Sequence, residues 1–416
     1  MEKLASKETR TSGGNENKNE QLVNHIITMF ENLEPPVSTE CCIYKVPYYL
    51  RKMNEGAYTP QVISIGPIHH NKERFQAMEK HKVRYFNNFK QQYEINLEDL
   101  VSTIREMEDR IRRCYVETVQ LESDDFVQMI ILDASFILEL FLNYRSRERT
   151  RDDPMRVEAW LLNMVWRELL LLENQLPFFV IEKLYHLALP YLSNSISLIQ
   201  LTFDFFKSLN IHNKSPDVEI QHFTDLLRFF QLPPHLPYRV PAVSFPKYSV
   251  TQLHEAGIKF KVVPSKCLLD LKFKKGVLGI PLLEFQDDTE TLVRNIIELE
   301  QCDDRRAAYI TDFYLILDRL IKTTEDVDLL GDKEILINWL GDNNVVTSMI
   351  SNLNRGIISR DLNSDFYRLG IDLNDYYEDP WHRWKAILRR QYSIMAILAL
   401  VLTLIQTVLS ILQVVL

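Results

Sequence analysis

The last 26 residues of this 416-residue chain, QYSIMAILALVLTLIQTVLSILQVVL, contain no charged side chain. As one helix, residues 391–416 would be about 39 Å long, and the hydrocarbon layer of a bilayer is about 30 Å thick. An uncharged stretch of this length is more typical of a membrane span than of a buried helix in a water-soluble protein. The sequence therefore predicts a transmembrane anchor at 391–416.

The ten residues before this stretch are basic and aromatic. Two tryptophans beside a basic cluster are typical of the lipid headgroup region, and the basic flank marks the cytosolic side. The N-terminus is polar and has no apolar core, so no signal peptide is expected. We therefore predict a C-terminally anchored, single-pass protein that contacts membrane lipid and has its bulk in the cytosol. The predicted membrane-interface residues are Trp381, Arg383, Trp384, Lys385, Arg389 and Arg390.

Small and polar residues recur within the predicted anchor at spacings of 3, 4, 3, 4 and 3. This repeat places them on one stripe of a helix, and such stripes let helices approach closely in lipid. We expect the anchor to associate with itself or with another span, although the same residues can simply lower its hydrophobicity. The stripe consists of Ala396, Ala399, Thr403, Gln406, Ser410 and Gln413.

The composition argues against several kinds of partner and site. The formal net charge is −9, which gives no general attraction to nucleic acid, so no nucleic-acid partner is expected. The five cysteines, of which only Cys41 and Cys42 are adjacent, fit neither a disulfide framework nor a zinc ligand set. The cysteines are compatible with a reducing compartment.

Only 11 glycines occur in the chain, which favours long helices over tight turns. We predict a mainly α multi-helix cytosolic domain with a small β-hairpin or sheet insertion and one C-terminal transmembrane helix. The predicted divisions are a disordered tail (1–20), an N-terminal helical region (21–232), a Pro-rich connection (233–248), a C-terminal α+β region (249–380), the interface segment (381–390) and the anchor (391–416).

Apolar periodicity predicts the individual elements. Alternating apolar and polar positions around Lys275 and Gly276 predict a β-hairpin. A long apolar stretch at 157–189 must break or kink at Pro177. The other predicted helices lie at 22–34, 72–93, 96–119, 123–144, 194–209, 217–230, 288–301, 306–322, 333–351 and 355–370.

The adjacent histidines His69 and His70 are the first candidates for chemistry. They lie in a loop rich in Pro and Gly, and histidine binds metal when three or four ligands converge. Glu79, His81 and Cys41 are conceivable further ligands, but their spacing does not indicate a metal site. Capping of nearby backbone groups and loop packing explain the pair more simply.

Three acidic residues, Asp133, Glu139 and Glu173, lie within apolar helical stretches. Asp133 and Glu139 are six positions apart and do not share a helix face, so a glycosidase-like acid and base pair is not supported. The amides of Asn174 and Gln175, just before the Pro177 break, can satisfy backbone groups that the break frees. We predict that they fix the shape of the chain there.

The common motifs GxxxxGK[ST], GxGxxG, GxSxG, HExxH and CxxC do not occur in the sequence. These motifs carry the usual nucleotide, hydrolase, zinc-protease and redox chemistry. No cofactor, metal site or catalytic residue is therefore predicted.

Several blocks of the sequence, in order, resemble a known family. They are IYKVPYYLRKMNEGAYTPQVISIGPIHH, MEKHKVRYF, DASFILELF, LLENQLPFFVIEKL, AGIKFK, GVLGIPLLEF, NIIELEQC and WHRWKAILRRQYS. Together they are similar to the plant-specific domain of unknown function 247, also called uncharacterised protein family 0481, from about residue 42 to the end. The chain departs from the family pattern at Asn71, at Ala134 and Ser135, and in FTDLLRFF.

The resemblance implies a plant membrane protein, with the plasma membrane favoured, that has a cytosolic helical domain and no established enzymatic activity. Some relatives are linked to pollen–pistil self-incompatibility, and others are proposed in defence or growth signalling. We therefore expect a non-enzymatic interaction, recognition or signalling component with protein partners. The alternative is a membrane-bound enzyme that uses the His69-His70 loop, which requires both histidines and a carboxylate to converge in one pocket.

Overall fold

The computed structural model describes residues 13–31, 38–146, 158–190, 195–241, 244–303, 305–357 and 361–415. The first helix, α1 (Gly13–Glu31), begins within the segment that was predicted as a disordered tail at 1–20. Residues 1–12 of that tail lie outside the described residues. Helix α1 therefore begins earlier in the chain than the predicted helix at 22–34.

The N-terminal region is built around one long helix, α5 (Ser123–Ser146), which is apolar on nearly all sides and buried along most of its length. Helices α3, α4, α7 and α8 pack against it. The helices of this region are α2 (Tyr48–Arg51), α3 (Gln76–Gln92), α4 (Leu97–Arg113), α5, α6 (Ala159–Glu168), α7 (Phe178–Ala188), α8 (Leu198–Phe205) and α9 (Phe223–Gln231).

The Pro-rich connection is extended and lies against the C-terminal region. Its strand β1 (Arg239–Pro241) pairs antiparallel with strand β7 (Asp361–Asn363), with Val240 opposite Leu362. The Asn374 side chain donates to the Phe245 carbonyl at 2.9 Å and accepts from the Lys247 amide at 2.9 Å. These contacts fix the connection to the domain.

The C-terminal region mixes helices with small sheets. Strands β2 (Lys259–Val263), β4 (Val277–Pro281) and β3 (Lys272–Lys274) form one sheet in that order, in which β2 is parallel and β3 antiparallel to β4. Lys275 and Gly276, both with positive φ, form the turn of the predicted β3–β4 hairpin. The helices are α10 (Val250–Ala256), α11 (Thr289–Cys302), α12 (Tyr309–Leu320), α13 (Thr324–Asp332), α14 (Asn343–Leu353), α15 (Ser364–Glu378) and α16 (Pro380–Val415).

Two helices predicted late in the chain are wrong in part. Within 333–351, residues Leu336–Asn338 form strand β6, which pairs parallel with β5 (Leu283–Phe285). Within 355–370, strand β7 precedes helix α15. Both strands depend on partners far away in the sequence, so local periodicity does not reveal them.

One continuous apolar core extends through both regions, from Ile43 to Leu373. A second, smaller cluster lies between residues 41–58, Leu172 on the N-terminal side and Leu299 on α11. Asn295 of α11 strengthens this junction, because its amide accepts from the Leu172 N–H and donates to the Ala57 carbonyl, both at 2.8 Å. Helix α11 therefore joins the two regions.

The fold is mainly α with small sheets, as predicted, but the predicted transmembrane helix is wrong. Residues 391–415 belong to α16, which begins at Pro380 and is continuous with the charged segment 381–390. No helix among the described residues has both the length and the apolarity required to cross a membrane. The single-pass topology, the membrane localisation and the tail anchor predicted from 391–416 are corrected accordingly.

The uncharged run is not an independent segment, because the helix that contains it begins in residues that pack on protein. Ala386 is buried, and the Arg389 guanidinium donates to the carbonyls of His254 and Glu255 at the end of α10 at 2.9 and 3.3 Å. A hydropathy profile evaluates residues 391–416 by themselves. It contains no information about the contacts that the preceding residues of the same helix make with α10.

Candidate functional site

The loop that carries the two histidines is held by acceptors from the turn between α6 and α7. Both carboxylate oxygens of Glu168 accept from the backbone N–H groups of Gln61, Val62 and Ile63, at 2.6 to 3.0 Å. The Asn174 amide accepts from the Ile65 N–H at 2.7 Å and donates to the Ile63 carbonyl at 3.2 Å. The loop is therefore fixed from one side over five residues.

Glu173 receives three donors from two segments of the chain, the stretch 46–51 and the histidine loop. Its carboxylate accepts from the Val46 N–H at 2.7 Å, from His69 Nε2 at 2.9 Å and from the Arg51 guanidinium. Burial alone would raise the pKa of Glu173, but His69, Arg51 and the Val46 amide together bring it below its ordinary value. Glu173 is therefore held as a fully satisfied carboxylate.

His69 is neutral and serves as a linker. Its Nδ1 faces the Lys72 ammonium at 2.7 Å and must accept from it, so the proton lies on Nε2 and points to Glu173. Burial lowers the pKa of His69, against the opposing effect of Glu173. With both ring nitrogens engaged, His69 has no free position for a substrate proton or a metal.

The predicted shape-setting role of Asn174 and Gln175 is confirmed. Helix α6 ends at Glu168 and α7 begins at Phe178, so the long apolar stretch is two helices rather than one kinked helix. The Gln175 amide donates to the carbonyls of Leu169 and Leu171, both at 2.7 Å, and Asn174 donates to that of Glu168 at 2.9 Å. We call Glu168, Glu173, Asn174 and Gln175 the Glu173 cluster.

Asp133 also has a structural partner. Its carboxylate accepts from Lys82 Nζ at 2.6 Å and from the Gly66 N–H at 2.8 Å, and both side chains are buried. Burial raises the pKa of Asp133 to about 6. Glu139 bonds to Asn143 instead, so the two carboxylates do not act on a common site.

His70 has different surroundings from His69. It lines a cavity of about 370 Å³ together with Glu79 and Asp125.

Cys41, the cysteine considered as a metal ligand, lies in the small second core cluster. In the part of the chain that the structure describes, no three His, Cys, Asp or Glu side chains are arranged to hold a metal ion. The convergence that the enzyme hypothesis requires is not found.

Of the predicted membrane-interface residues, Lys385 and Arg389 contact α10, whereas Trp381, Arg383 and Trp384 are exposed. Trp381 and Trp384 stack on each other with ring centroids 5.7 Å apart, and the Lys385 chain passes over Gly257 at the end of α10. The side chain of Arg390 lies outside the described residues. The assignment of these residues to a membrane interface was drawn together with the transmembrane helix, and no observation on the described residues tests it separately.

Only part of the predicted pairing stripe has described side chains. Ala399, Thr403 and Gln406 are exposed, and the Thr403 hydroxyl donates within its own helix to the Ala399 carbonyl. The side chains of Ala396, Ser410 and Gln413 lie outside the described residues. Self-association through this stripe stays a prediction.

A cavity that the sequence did not indicate lies at the junction of the two regions, with a volume of about 510 Å³, and it opens to solvent. Segments far apart in sequence form its wall. We call it the Glu298 cavity; its lining includes Pro47, Tyr49 and Leu50 around α2, Arg239 of β1, Glu298 and Cys302 of α11, Arg305, Arg306, Ala307 and Ala308 of the following turn, Thr311 of α12, and Asp361 of β7.

Glu298 is the unusual residue in this lining. The residue is only 3% exposed; Oε1 accepts from the Tyr58 hydroxyl at 3.3 Å, and buried Oε2 has no hydrogen-bond partner among the described residues. Burial raises the pKa of Glu298 to about 7, against Tyr58 and Arg294, which lower it. One carboxyl oxygen of this lining residue is therefore buried without a donor from the described residues.

The guanidinium groups of the lining are already paired. Arg239 donates to Asp312 at 2.6 Å, and Arg305 donates to Asp303 at 2.7 Å. Arg306 donates to Asp303 at 3.0 Å and also pairs with Asp225. Glu300, the other glutamate of α11 at the cavity, accepts from Arg228 and from the Thr311 backbone and hydroxyl.

A family model described as plant protein of unknown function, DUF247, matches residues 43–410. The chain belongs to this family. The DUF247 resemblance drawn from the sequence blocks is confirmed, and the match covers both the Glu173 cluster and the Glu298 cavity.

Two curated relatives of this DUF247 chain come from Arabidopsis thaliana. The chain is 30% identical to UPF0481 protein At3g47200 over 388 residues, which cover 84% of this chain and 80% of the relative. It is 22% identical to putative UPF0481 protein At3g02645 over 478 residues, which cover 87% of this chain and 88% of that relative. No solved structure matches the chain significantly.

Sequence reasoning missed the Glu298 cavity in this DUF247 chain, although one signal was present. The block NIIELEQC places Glu298 and Glu300 in an otherwise apolar helical stretch, and buried carboxylates need partners. In the structure Glu300 has such partners, whereas Oε2 of Glu298 has none among the described residues. The sequence does not reveal this difference.

Proposed function

We propose that this DUF247 chain is a non-enzymatic recognition protein that binds a partner protein in the Glu298 cavity. The observation that carries the proposal is that Glu298 lines a cavity open to solvent while its buried Oε2 finds no donor among the described residues. A buried acceptor without a partner costs about 1–3 kcal/mol, and a ligand that supplies a donor recovers that free energy. Such a group therefore favours a bound partner.

The rim of the cavity supports a protein as the ligand. Tyr49 lines the cavity and is half exposed, and its neighbour Tyr48 is 79% exposed. Tyr238, next to the lining residue Arg239, is 70% exposed. Exposed tyrosines provide rigid contact area at protein interfaces, where they are enriched. The enzymatic alternative receives no support from His69, whose two ring nitrogens are engaged.

Selection from a phage-displayed library of random peptides tests this function. The immobilised full chain is expected to enrich peptides whose binding is lost in Ala308→Trp, which fills the cavity from its wall. Val345→Trp adds the same side chain at an exposed position of α14 that does not line the cavity, and it should bind like the unmodified chain.

Circular dichroism and thermal unfolding establish that both variants fold. If Ala308→Trp does not fold, Tyr49→Ala removes an exposed ring from the rim and takes its place. Enrichment of no peptide, or equal binding by the cavity variant, contradicts the proposal.

A further inference from the structure

Three arginines and Glu300 at the Glu298 cavity are paired with opposite charges. Each of the arginines 239, 305 and 306 already donates to an aspartate, and Glu300 accepts from Arg228. These guanidinium groups are therefore committed to protein partners. The Oε2 atom of Glu298 is the buried lining atom for which the described residues supply no donor.

The chemistry of the missing partner follows from that atom. A carboxylate oxygen accepts hydrogen bonds, so the group that completes it must carry N–H or O–H donors. A bond in which donor and acceptor are both charged is shorter and stronger than a neutral one. An anionic ligand would instead meet Glu298 and find its potential donors, the arginines, already engaged.

Tyr49 adds a second feature that favours a cation. Its ring lines the same cavity and is half exposed. The face of a tyrosine ring attracts ammonium and guanidinium groups by about 0.5–2 kcal/mol, more when the site is shielded from water. A carboxylate and an aromatic ring that line one cavity are the two protein groups that bind such cations best.

Resting on the function proposed above, we infer that the Glu298 cavity recognises a lysine or arginine side chain of the partner protein. The cationic head lies against Oε2 of Glu298 and the apolar stem lies along Tyr49 and Leu50. Both long side chains combine an apolar stem with a charged tip, which matches a cavity that has an apolar wall at 47–50 and a carboxylate on α11.

The test uses four fluorescein-labelled random peptide libraries with one fixed central residue, which is Lys, Arg, norleucine or Glu. Fluorescence polarisation against the full chain should show binding of the Lys or Arg library that is about tenfold tighter than binding of the norleucine and Glu libraries, as one charge-assisted bond provides. Glu298→Gln, which keeps an acceptor for Tyr58, should remove this preference.

The matched control is Glu284→Gln, which makes the same change at an exposed position of β5 outside the cavity. It should keep the preference for Lys or Arg. Equal binding of the four libraries, a preference for the Glu library, or an unchanged preference in Glu298→Gln overturns the inference.

The two proposals fail in distinguishable ways. Peptides that depend on the cavity but contain no common Lys or Arg leave the recognition function in place and overturn the cation inference. A phage selection that yields no peptide sensitive to Ala308→Trp contradicts the function itself.

Discussion

Glu173 and Glu298 are both buried glutamates, but their surroundings differ in the number of donors. Glu173 accepts from Val46, Arg51 and His69, which belong to two segments, and its pKa falls below the ordinary value. Among the described residues Glu298 accepts only from Tyr58, and burial raises its pKa to about 7. A buried carboxylate with a full set of donors ties segments together, whereas one with a missing donor is available for a ligand.

The same contrast holds for the regions around these residues. The Glu173 cluster holds the loop at 61–65 through backbone N–H groups, and the neighbouring Lys82–Asp133 pair holds Gly66. At the Glu298 cavity, three arginines and Glu300 are paired, whereas Oε2 of Glu298 has no hydrogen-bond partner in the part of the chain that the structure describes. We therefore expect substitutions in the first region to change stability and substitutions in the second to change binding and pH dependence.

The largest expected change in stability is that of Asp133→Ala, in the region around the Glu173 cluster. The change leaves the fully buried Lys82 ammonium without its buried partner, and breaking a buried ion pair costs about 3–5 kcal/mol. Urea denaturation at pH 7 measures the loss. Glu79→Ala, which removes the partly exposed partner of the same lysine, should cost under about 1 kcal/mol. Equal losses of stability in the two variants would contradict the conclusion that the buried Lys82–Asp133 pair stabilises this region.

Gly66→Ala should cost about 3 kcal/mol in the same region. Gly66 has φ +73°, and an added Cβ would overlap the carbonyl oxygen of Gln175 in the Glu173 cluster. Gly341→Ala is the control, because Gly341 has φ +84° but open space around it, so only about 1 kcal/mol of backbone strain is expected. Thermal unfolding of both variants distinguishes the backbone strain from the steric overlap with Gln175. Equal losses of stability in the two variants would argue against close packing at Gly66.

Glu298→Gln should stabilise the chain at high pH, in contrast to the losses above. The pKa of Glu298 is about 7 in the folded chain, compared with 4.5 for an unperturbed glutamate. Because the folded state binds the proton more tightly, the stability that protonated Glu298 contributes is lost as pH rises through 7. The groups that face it are Tyr58, Arg294 and Cys302.

Relative to the unmodified chain, this variant should gain about 2 kcal/mol between pH 5 and pH 8, because the open cavity reduces the full linkage effect. Denaturation at the two pH values measures this gain. A gain that is the same at pH 5 and pH 8 would mean that Glu298 does not titrate in this range.

The smallest expected effect is that of Glu284→Gln. This glutamate is exposed on β5, where its charge remains in water. Its replacement should change the free energy of unfolding by less than about 0.5 kcal/mol at both pH values. A larger, pH-dependent change would remove the distinction between an exposed carboxylate and the one in the cavity.

Local sequence was sufficient for much of the fold. The apolar pattern of 123–144 predicted α5, and alternation around Lys275 and Gly276 predicted the β3–β4 hairpin, because both depend on contacts within a few residues. The break at Pro177 and the roles of Asn174 and Gln175 were also predictable, since Pro removes a backbone donor wherever it occurs.

Other features depend on partners that the sequence does not identify. Strand β6 lies in a segment that reads as helix, and it forms because β5 lies beside it. The apolar end of the chain was predicted as a membrane anchor from its hydropathy, whereas in the structure it continues a helix whose first turns pack on α10. Periodicity and hydropathy measure one segment at a time and omit such long-range contacts.

By itself, the sequence determined the helical class, the positions of most helices and the DUF247 family. Only the tertiary structure decided which buried carboxylates are satisfied. Glu298 and Glu300 are two positions apart in one helix, yet Glu300 accepts from Arg228 and Thr311 while Oε2 of Glu298 has no donor among the described residues. The donors come from remote parts of the chain, so the difference arises only when those parts are folded together.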